Sequence, residues 1–88
     1  MSNPAQYEVR INASARREMD SLPADLHRRV SNAILLLETT PRPRKCKRLR
    51  SRDEYRLRVG DYRVLYLIDD ESRVIEVTAV GNRKDVYR

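Results

Sequence analysis

From Glu54 to Asp70 the chain reads EYRLRVGDYRVLYLIDD, alternating apolar with basic or polar positions on both sides of a Gly-Asp pair. That alternation predicts a hairpin whose strands are joined by a two-residue turn. Gly60 in the first turn position suits type II′, which needs positive φ there. Pairing across such a turn sets Val59 against Tyr62, Leu57 against Val64 and Tyr55 against Tyr66 on one apolar face. On the other face Arg58 stands opposite Arg63, with Arg56 further along the same strand. Like charges facing each other across a ladder are destabilising. Three guanidiniums gathered on one small patch therefore point to an anionic partner.

The remaining pattern supplies what packs against this hairpin. Residues 6–11 alternate Tyr7, Val9 and Ile11 with Gln6, Glu8 and Arg10, a half-buried strand. Asn12 or Ser14 caps a helix carrying Ala15, Met19 and Leu22 at helical spacing. Pro23 opens a second helix with Asp25 in its first turn and a stripe of Leu26, Val30, Ala33, Ile34 and Leu37, ended by Pro41 and Pro43. Arg42 to Arg52 has weak strand propensity and reads as a basic connector. After the hairpin, a polar turn over 69–72 leads to a last strand from Arg73 to Val80, broken by Gly81. Pairing Ile68 with Arg73 places Ile75, Val77 and Ala79 on the core face opposite Tyr66, Val64 and Tyr62, and Thr78 beside Arg63. Leu65, Leu67 and Val74 fall on the arginine side, where an apolar strip marks a place for a partner. The expected fold is α+β, a single domain over 1–88. It has a single-layer sheet of about four mainly antiparallel strands and a helix pair on one face, in the order β-α-α-β-β-β.

Charge sharpens the anionic-partner reading. The net charge over 88 residues is +6, but residues 42–63 hold ten Lys/Arg and three acids, a net of +7, so the rest of the chain sums to −1. A local basic patch is the electrostatic footprint of nucleic-acid binding. Arg44, Lys45, Lys47, Arg48, Arg50 and Arg52 extend that surface from the connector. The single cysteine, Cys46, excludes an internal disulfide and fits a reducing compartment. Flanked by two lysines, it reads as an incidental exposed loop thiol. The first residues, MSNPAQ, carry no secretion signal, and no apolar run approaches the ~20 residues that span a bilayer. The expected location is the cytoplasm, with no membrane partner.

Most catalytic chemistries lack their residues here. One His and one Cys without ligand spacing leave no metal site, and two isolated glycines make no phosphate loop. His27 reads as an exposed helical histidine. Asp69, Asp70 and Glu71 occupy a turn, where Asp is favoured for backbone reasons. No cofactor is expected. Arginine and tyrosine remain. Guanidinium forks match phosphate oxygens, and tyrosine stacks on bases. RNA can be cleaved without metal by its own 2′-hydroxyl if the protein aligns the groups and stabilises the anionic phosphorane. Arg56, Arg58, Arg63 and Arg83 could supply that charge, and Tyr87 could handle a proton or fix the base.

The strand–helix–helix–three-strand layout, the LP opening of helix two, the PRP after it, the basic KRL segment, RVGDYRVLY and the tail RKDVY occur in an order that resembles the RelE/ParE superfamily of toxin–antitoxin toxins. The resemblance covers nearly the whole chain and implies the RelE-like branch, ribosome-dependent endoribonucleases that cut mRNA in the ribosomal A site. It implies catalytic roles for Arg56 and Arg58 on the hairpin, Arg63 on the next strand, and Arg83 and Tyr87 in the tail. Lys84 joins the RNA- and ribosome-binding set. It also implies a small RelB-like antitoxin as partner, with Leu65, Leu67, Val74 and the exposed side of the helix pair as candidate contacts, beside the ribosome and mRNA. Gyrase inhibition of the ParE type and RNA or partner binding without catalysis are the alternatives. Arg56 and Arg58 stand where some RelE enzymes carry lysines, and Asn82 where many relatives carry His, which leaves the proton acceptor open.

Overall fold

The computed structural model describes residues 6–49 and 54–82, which form a five-stranded sheet with two helices on one face. In chain order these are β1 (Glu8–Ile11), α1 (Ala13–Asp20), α2 (Ala24–Leu36), β2 (Cys46–Arg48), β3 (Glu54–Val59), β4 (Tyr62–Asp69) and β5 (Val74–Asn82). The sheet order is β1-β5-β4-β3-β2, antiparallel throughout except for the parallel β1–β5 pair.

The hairpin adopts the expected register, Val59 with Tyr62, Leu57 with Val64 and Tyr55 with Tyr66. Gly60 has φ +60 and Asp61 stays at negative φ, as a II′ turn requires. Asn12 caps α1, its side-chain oxygen accepting from the Ala15 amide at 2.8 Å. Pro23 is the residue before α2, and Asp25 lies in its first turn, where a negative charge complements the helix dipole. Ala15 and Met19 of α1, Val30 and Ile34 of α2, and Leu37 just beyond pack onto Tyr55, Leu57, Val64, Tyr66, Ile75 and Val77 in one core. Leu35 and Leu36 point outward, 61% and 64% exposed. Among the described residues no helix is long and apolar enough to cross a membrane.

Three expectations change. The connector contributes a fifth strand: Cys46, Lys47 and Arg48 pair with Leu57, Arg56 and Tyr55. The free edge of β3 offers a row of hydrogen-bonding groups, and pairing with it outweighs the weak strand propensity of a lysine-rich segment. Cys46 is accordingly not a loop thiol; it is half-buried against the core. The last strand is also re-registered. Ile68 pairs with Ile75 and Tyr66 with Val77, after which a bulge at Thr78 shifts the partners so that Leu65 meets Ala79 and Val64 meets Val80. An extra residue in one strand exchanges its faces. Val80 is therefore 1% exposed in the core, while Ala79 turns to the other side. Arg63 pairs with Gly81 rather than lying beside Thr78, and β5 runs through Gly81 to Asn82. Beyond Ile11, whose partner is Val77, β1 no longer covers β5; there Glu18 of α1 accepts from the Val80 amide at 2.8 Å. That carboxylate satisfies a donor that would otherwise be orphaned.

Candidate nucleic-acid interface

The sheet face opposite the helices is graded in charge, and strand pairing sets the gradient. One row across it runs Lys47, Arg56, Leu65, and its neighbour toward the hairpin turn runs Arg58, Arg63, Gly81. In the opposite direction the next row is Glu54, Leu67, Glu76, Arg10. The face is thus basic toward the Gly60 turn and mixed in charge beyond it, with Leu65 and Leu67 in adjacent rows. Leu65, Leu67 and Val74 are all half-buried on it, and Leu67 and Val74 line a shallow cavity of about 420 Å³ together with Arg10 and Glu76.

At the basic end lies a cleft of about 620 Å³ lined by Arg29, Arg44, Lys45, Cys46, Lys47, Arg56, Arg58 and Gly60. Six of these eight residues are cationic and none is acidic. Within it, potentials from the guanidiniums and ammoniums add, which raises the local concentration of anions. Five of the six cations come from the residues that the charge pattern of the chain singled out. Arg29 does not. It comes from α2, and its guanidinium lies over the hairpin turn, with Nη2 3.4 Å from where a Cβ on Gly60 would stand. Gly60 is required by its positive φ, and the Arg29 side chain rests against it. One sequence signal points to Arg29: Arg28 and Arg29 share a single acid within helical reach, Asp25, and Arg28 takes it at 2.6 Å.

Not every expected site residue reaches the cleft. Arg63 keeps its register with Arg58 but is only 4% exposed and does not line it. Among the described residues no buried side-chain nitrogen or oxygen lacks a partner, so Arg63 is held inside the protein rather than presented to solvent. Arg48 pairs with Tyr55, a core-facing residue, so strand alternation turns it to the opposite side of the sheet from Lys47. Arg50, Arg52, Arg83, Lys84 and Tyr87 lie outside the described residues.

The wall of the cleft that carries Arg44 and Lys45 is anchored by a polar cluster of Arg42, Asp70, Tyr55, Tyr7 and Tyr66. Arg42 donates to both Asp70 carboxylate oxygens, at 3.2 and 2.7 Å, and through Nε to the Tyr55 hydroxyl at 3.0 Å. The Tyr7 hydroxyl donates to Asp70 at 2.6 Å, and Tyr66 donates to the Pro41 carbonyl at 2.9 Å. Arg42, with Tyr7 assisting, holds the Asp70 carboxyl below the usual aspartate range, and Asp70 in turn pushes the Tyr7 hydroxyl up. Burial, with the Cys46 thiol alongside, pushes the Tyr66 hydroxyl well above its ordinary value. Asp69 does fill a turn for backbone reasons, accepting from the Glu71 and Ser72 amides; Asp70 instead neutralises Arg42. His27 is partly exposed, 3.6 Å from Asp20.

Residues 9–87 match the family model described as ParE toxin of the type II toxin–antitoxin system parDE. Toxin RelG of Mycobacterium tuberculosis is 36% identical over 84 residues, spanning 93% of this chain and 97% of the relative. Toxin RelE of the same organism is 32% identical over 90 residues, spanning 100% of this chain and 93% of the relative. Among solved structures, the archaeal RelE–RelB complex from Pyrococcus horikoshii contains a chain that superposes with a TM-score of 0.82 at 31% identity, over 92% of this chain and 99% of that one. The RelBE2 toxin–antitoxin complex from Mycobacterium tuberculosis matches with a TM-score of 0.78 at 33% identity, over 89% and 99% of the two chains.

Proposed function

The chain belongs to the RelE/ParE family of type II toxin–antitoxin toxins, and on that footing we propose that it is a ribosome-dependent endoribonuclease that cuts mRNA in the ribosomal A site. The observation that carries this reading is the acid-free cleft in which Arg56 and Arg58 of the hairpin meet Arg44, Lys45 and Lys47 of the connector. It suits a phosphodiester better than any neutral ligand. The 2′-oxygen of one nucleotide attacks the adjacent phosphorus, the bond from phosphorus to the 5′-oxygen breaks, and a 2′,3′-cyclic phosphate and a 5′-hydroxyl result. One proton leaves the 2′-hydroxyl and one reaches the departing 5′-oxygen. Arg56 and Arg58 stabilise the negative charge that grows on the phosphorane oxygens, while Arg44, Lys45 and Lys47 hold flanking phosphates. A guanidinium stays protonated at neutral pH and cannot accept the first proton. That is why the reading requires the ribosome to align the RNA and gives proton handling to Tyr87, with Arg83 as a further charge. No metal takes part in this scheme.

The partner we propose is a RelB-like antitoxin, because relatives of known structure include toxin–antitoxin complexes. Its contacts fall on Leu65, Leu67 and Val74 of the open sheet face, Leu65 beside Arg56 and the other two in the cavity with Arg10 and Glu76.

Primer extension on mRNA held in stalled ribosomes, run beside a gyrase supercoiling assay, tests the proposal. A-site cuts are expected from the wild type. Loss of about 10²-fold or more is expected when Arg56 and Arg58 are both changed to Ala. Arg83→Ala combined with Tyr87→Phe should relieve growth arrest with antitoxin binding retained. The family model carries the ParE name, so the gyrase arm has a definite meaning: lost supercoiling with intact mRNA would transfer the chain to gyrase inhibition. Neither activity would make it a binder without catalysis.

A further inference from the structure

The basic cleft has a second lobe. Arg29, Arg44, Lys45, Arg58 and Gly60 line both the cleft and an adjoining groove of about 410 Å³ between α2 and β3. The floor of this groove is apolar, built from Ala33, Leu36, Leu57 and Val59, and no acidic side chain lines it. Leu36 is 64% exposed there, a large apolar surface that nothing among the described residues covers.

Arg29 is what makes the groove more than a surface crease. Three described arginines are neutralised locally: Arg10 by Glu8 at 2.9 Å, Arg28 by Asp25 at 2.6 Å and Arg42 by Asp70 at 2.7 Å. Arg29, next to Arg28 on the same helix, makes no ion pair with a described residue and instead crosses the hairpin turn into the cleft that holds Arg58. Gathering guanidiniums in this way raises the free energy of the unliganded protein through like-charge repulsion, and a bound phosphate removes that cost.

We infer that this lobe is a subsite for a nucleotide flanking the scissile phosphate, with Arg29 and Arg44 on its phosphate and its base resting on the floor of Ala33, Leu36, Leu57 and Val59. The inference rests on the ribonuclease reading. Because the two lobes share five lining residues, a single RNA strand leaving Arg56 and Arg58 passes along the Arg29 guanidinium, which lies over the Gly60 turn, and enters the groove.

The test uses a fluorescein-labelled single-stranded RNA decamer and the full chain, with affinity read by fluorescence anisotropy between 50 and 200 mM salt. Each phosphate contact to a single strand contributes ~0.7 to the slope of log affinity against log salt. Arg29→Ala should lower the slope by that amount, so its deficit against wild type shrinks about 2.6-fold across the range. Arg29→Lys should keep the wild-type slope. Leu36→Ser should weaken binding with the slope unchanged. Circular dichroism checks that each variant folds. A wild-type slope in Arg29→Ala, alongside a reduced slope in Arg56→Ala, overturns the subsite and leaves the ribonuclease reading standing. An unchanged RNA slope accompanied by weakened binding of a synthetic Glu/Leu-rich peptide assigns the groove to protein docking and equally overturns it. Absence of RNA binding together with absence of ribosomal cleavage by the wild type overturns both readings.

Discussion

Tyr66 joins the core to the wall of the cleft, and replacing it with Phe isolates what its hydroxyl does. The ring is fully buried, stacked on Tyr55 at 5.8 Å between centroids, and its oxygen donates to the Pro41 carbonyl at 2.9 Å. Phe keeps the ring and removes the bond. Losing one buried neutral hydrogen bond costs about 1 kcal/mol at pH 7, which lowers Tm by roughly 4–8 °C in a domain of this size. Alkaline pH reverses the comparison. The folded hydroxyl holds its proton far above the ordinary value because it is buried, so the folded state binds that proton more tightly than the unfolded chain does. Stability from this group is present below the unfolded value, about 10, and is lost as pH rises beyond it. At pH 11, ionisation of Tyr66 in the unfolded chain favours unfolding of the wild type by about 1.4 kcal/mol. Tyr66→Phe is immune to that effect, and the other tyrosines cancel in the comparison. The two proteins should therefore have nearly equal stability close to pH 11, with the variant ahead above it. Urea unfolding followed by circular dichroism at pH 7 and between pH 10 and 11.5 measures this. A stability difference that stays constant across the range would refute the buried, hydrogen-bonded hydroxyl.

Two further outcomes test the packing and the anchoring cluster. Leu37→Ala removes a fully buried side chain and should cost about 2–5 kcal/mol. Leu35→Ala, two residues earlier and 61% exposed, should stay within about 0.5 kcal/mol of wild type in the same urea titration. Asp70→Asn removes a carboxylate whose pKa is lowered first by Arg42 and then by Tyr7. Its contribution is present above the unfolded aspartate value, about 3.9, and is lost as pH falls through the lower folded one. The urea midpoints of variant and wild type should differ at pH 6 and converge in acid; a gap that persists undiminished at pH 2 would show that the ion pair is not its source.

How much of this could be read from the chain alone depends on the range of the interactions involved. The hairpin was fully legible, because turn chemistry at Gly60 and period-two alternation are local and together fix a register. The same holds for the Val30–Ile34–Leu37 stripe and for the pairing of Arg58 with Arg63, while the cap of α1 was narrowed to Asn12 or Ser14, of which the fold uses Asn12. The partners of β5 were not legible. The turn falls at 70–73 rather than 69–72 and the bulge at Thr78 adds a second shift, and neither is marked by a residue type; the bulge alone decides that Val80, not Ala79, enters the core. The strand at Cys46–Arg48 was hidden for a related reason, since an edge strand is made by the neighbour it pairs with more than by its own propensity.

The candidate site divides along the same line. Charge placement in the sequence marked Arg44, Lys45, Lys47, Arg56 and Arg58, and all five line the cleft. Alternation could place Arg63 on their face but not show that the strands around it leave it 4% exposed. Nor could it separate Arg48 from Lys47 without knowing that the connector is a strand. Arg42 looked like one more cation of the basic run until the fold brought Asp70 to it from 28 residues away. Arg29 looked like helix surface until the turn at Gly60 came beneath it. Local pattern therefore determined which residues carry charge and which face of a strand they take. Which of those charges remain available to a ligand was decided only by long-range packing, because neutralisation and burial are properties of neighbours in space.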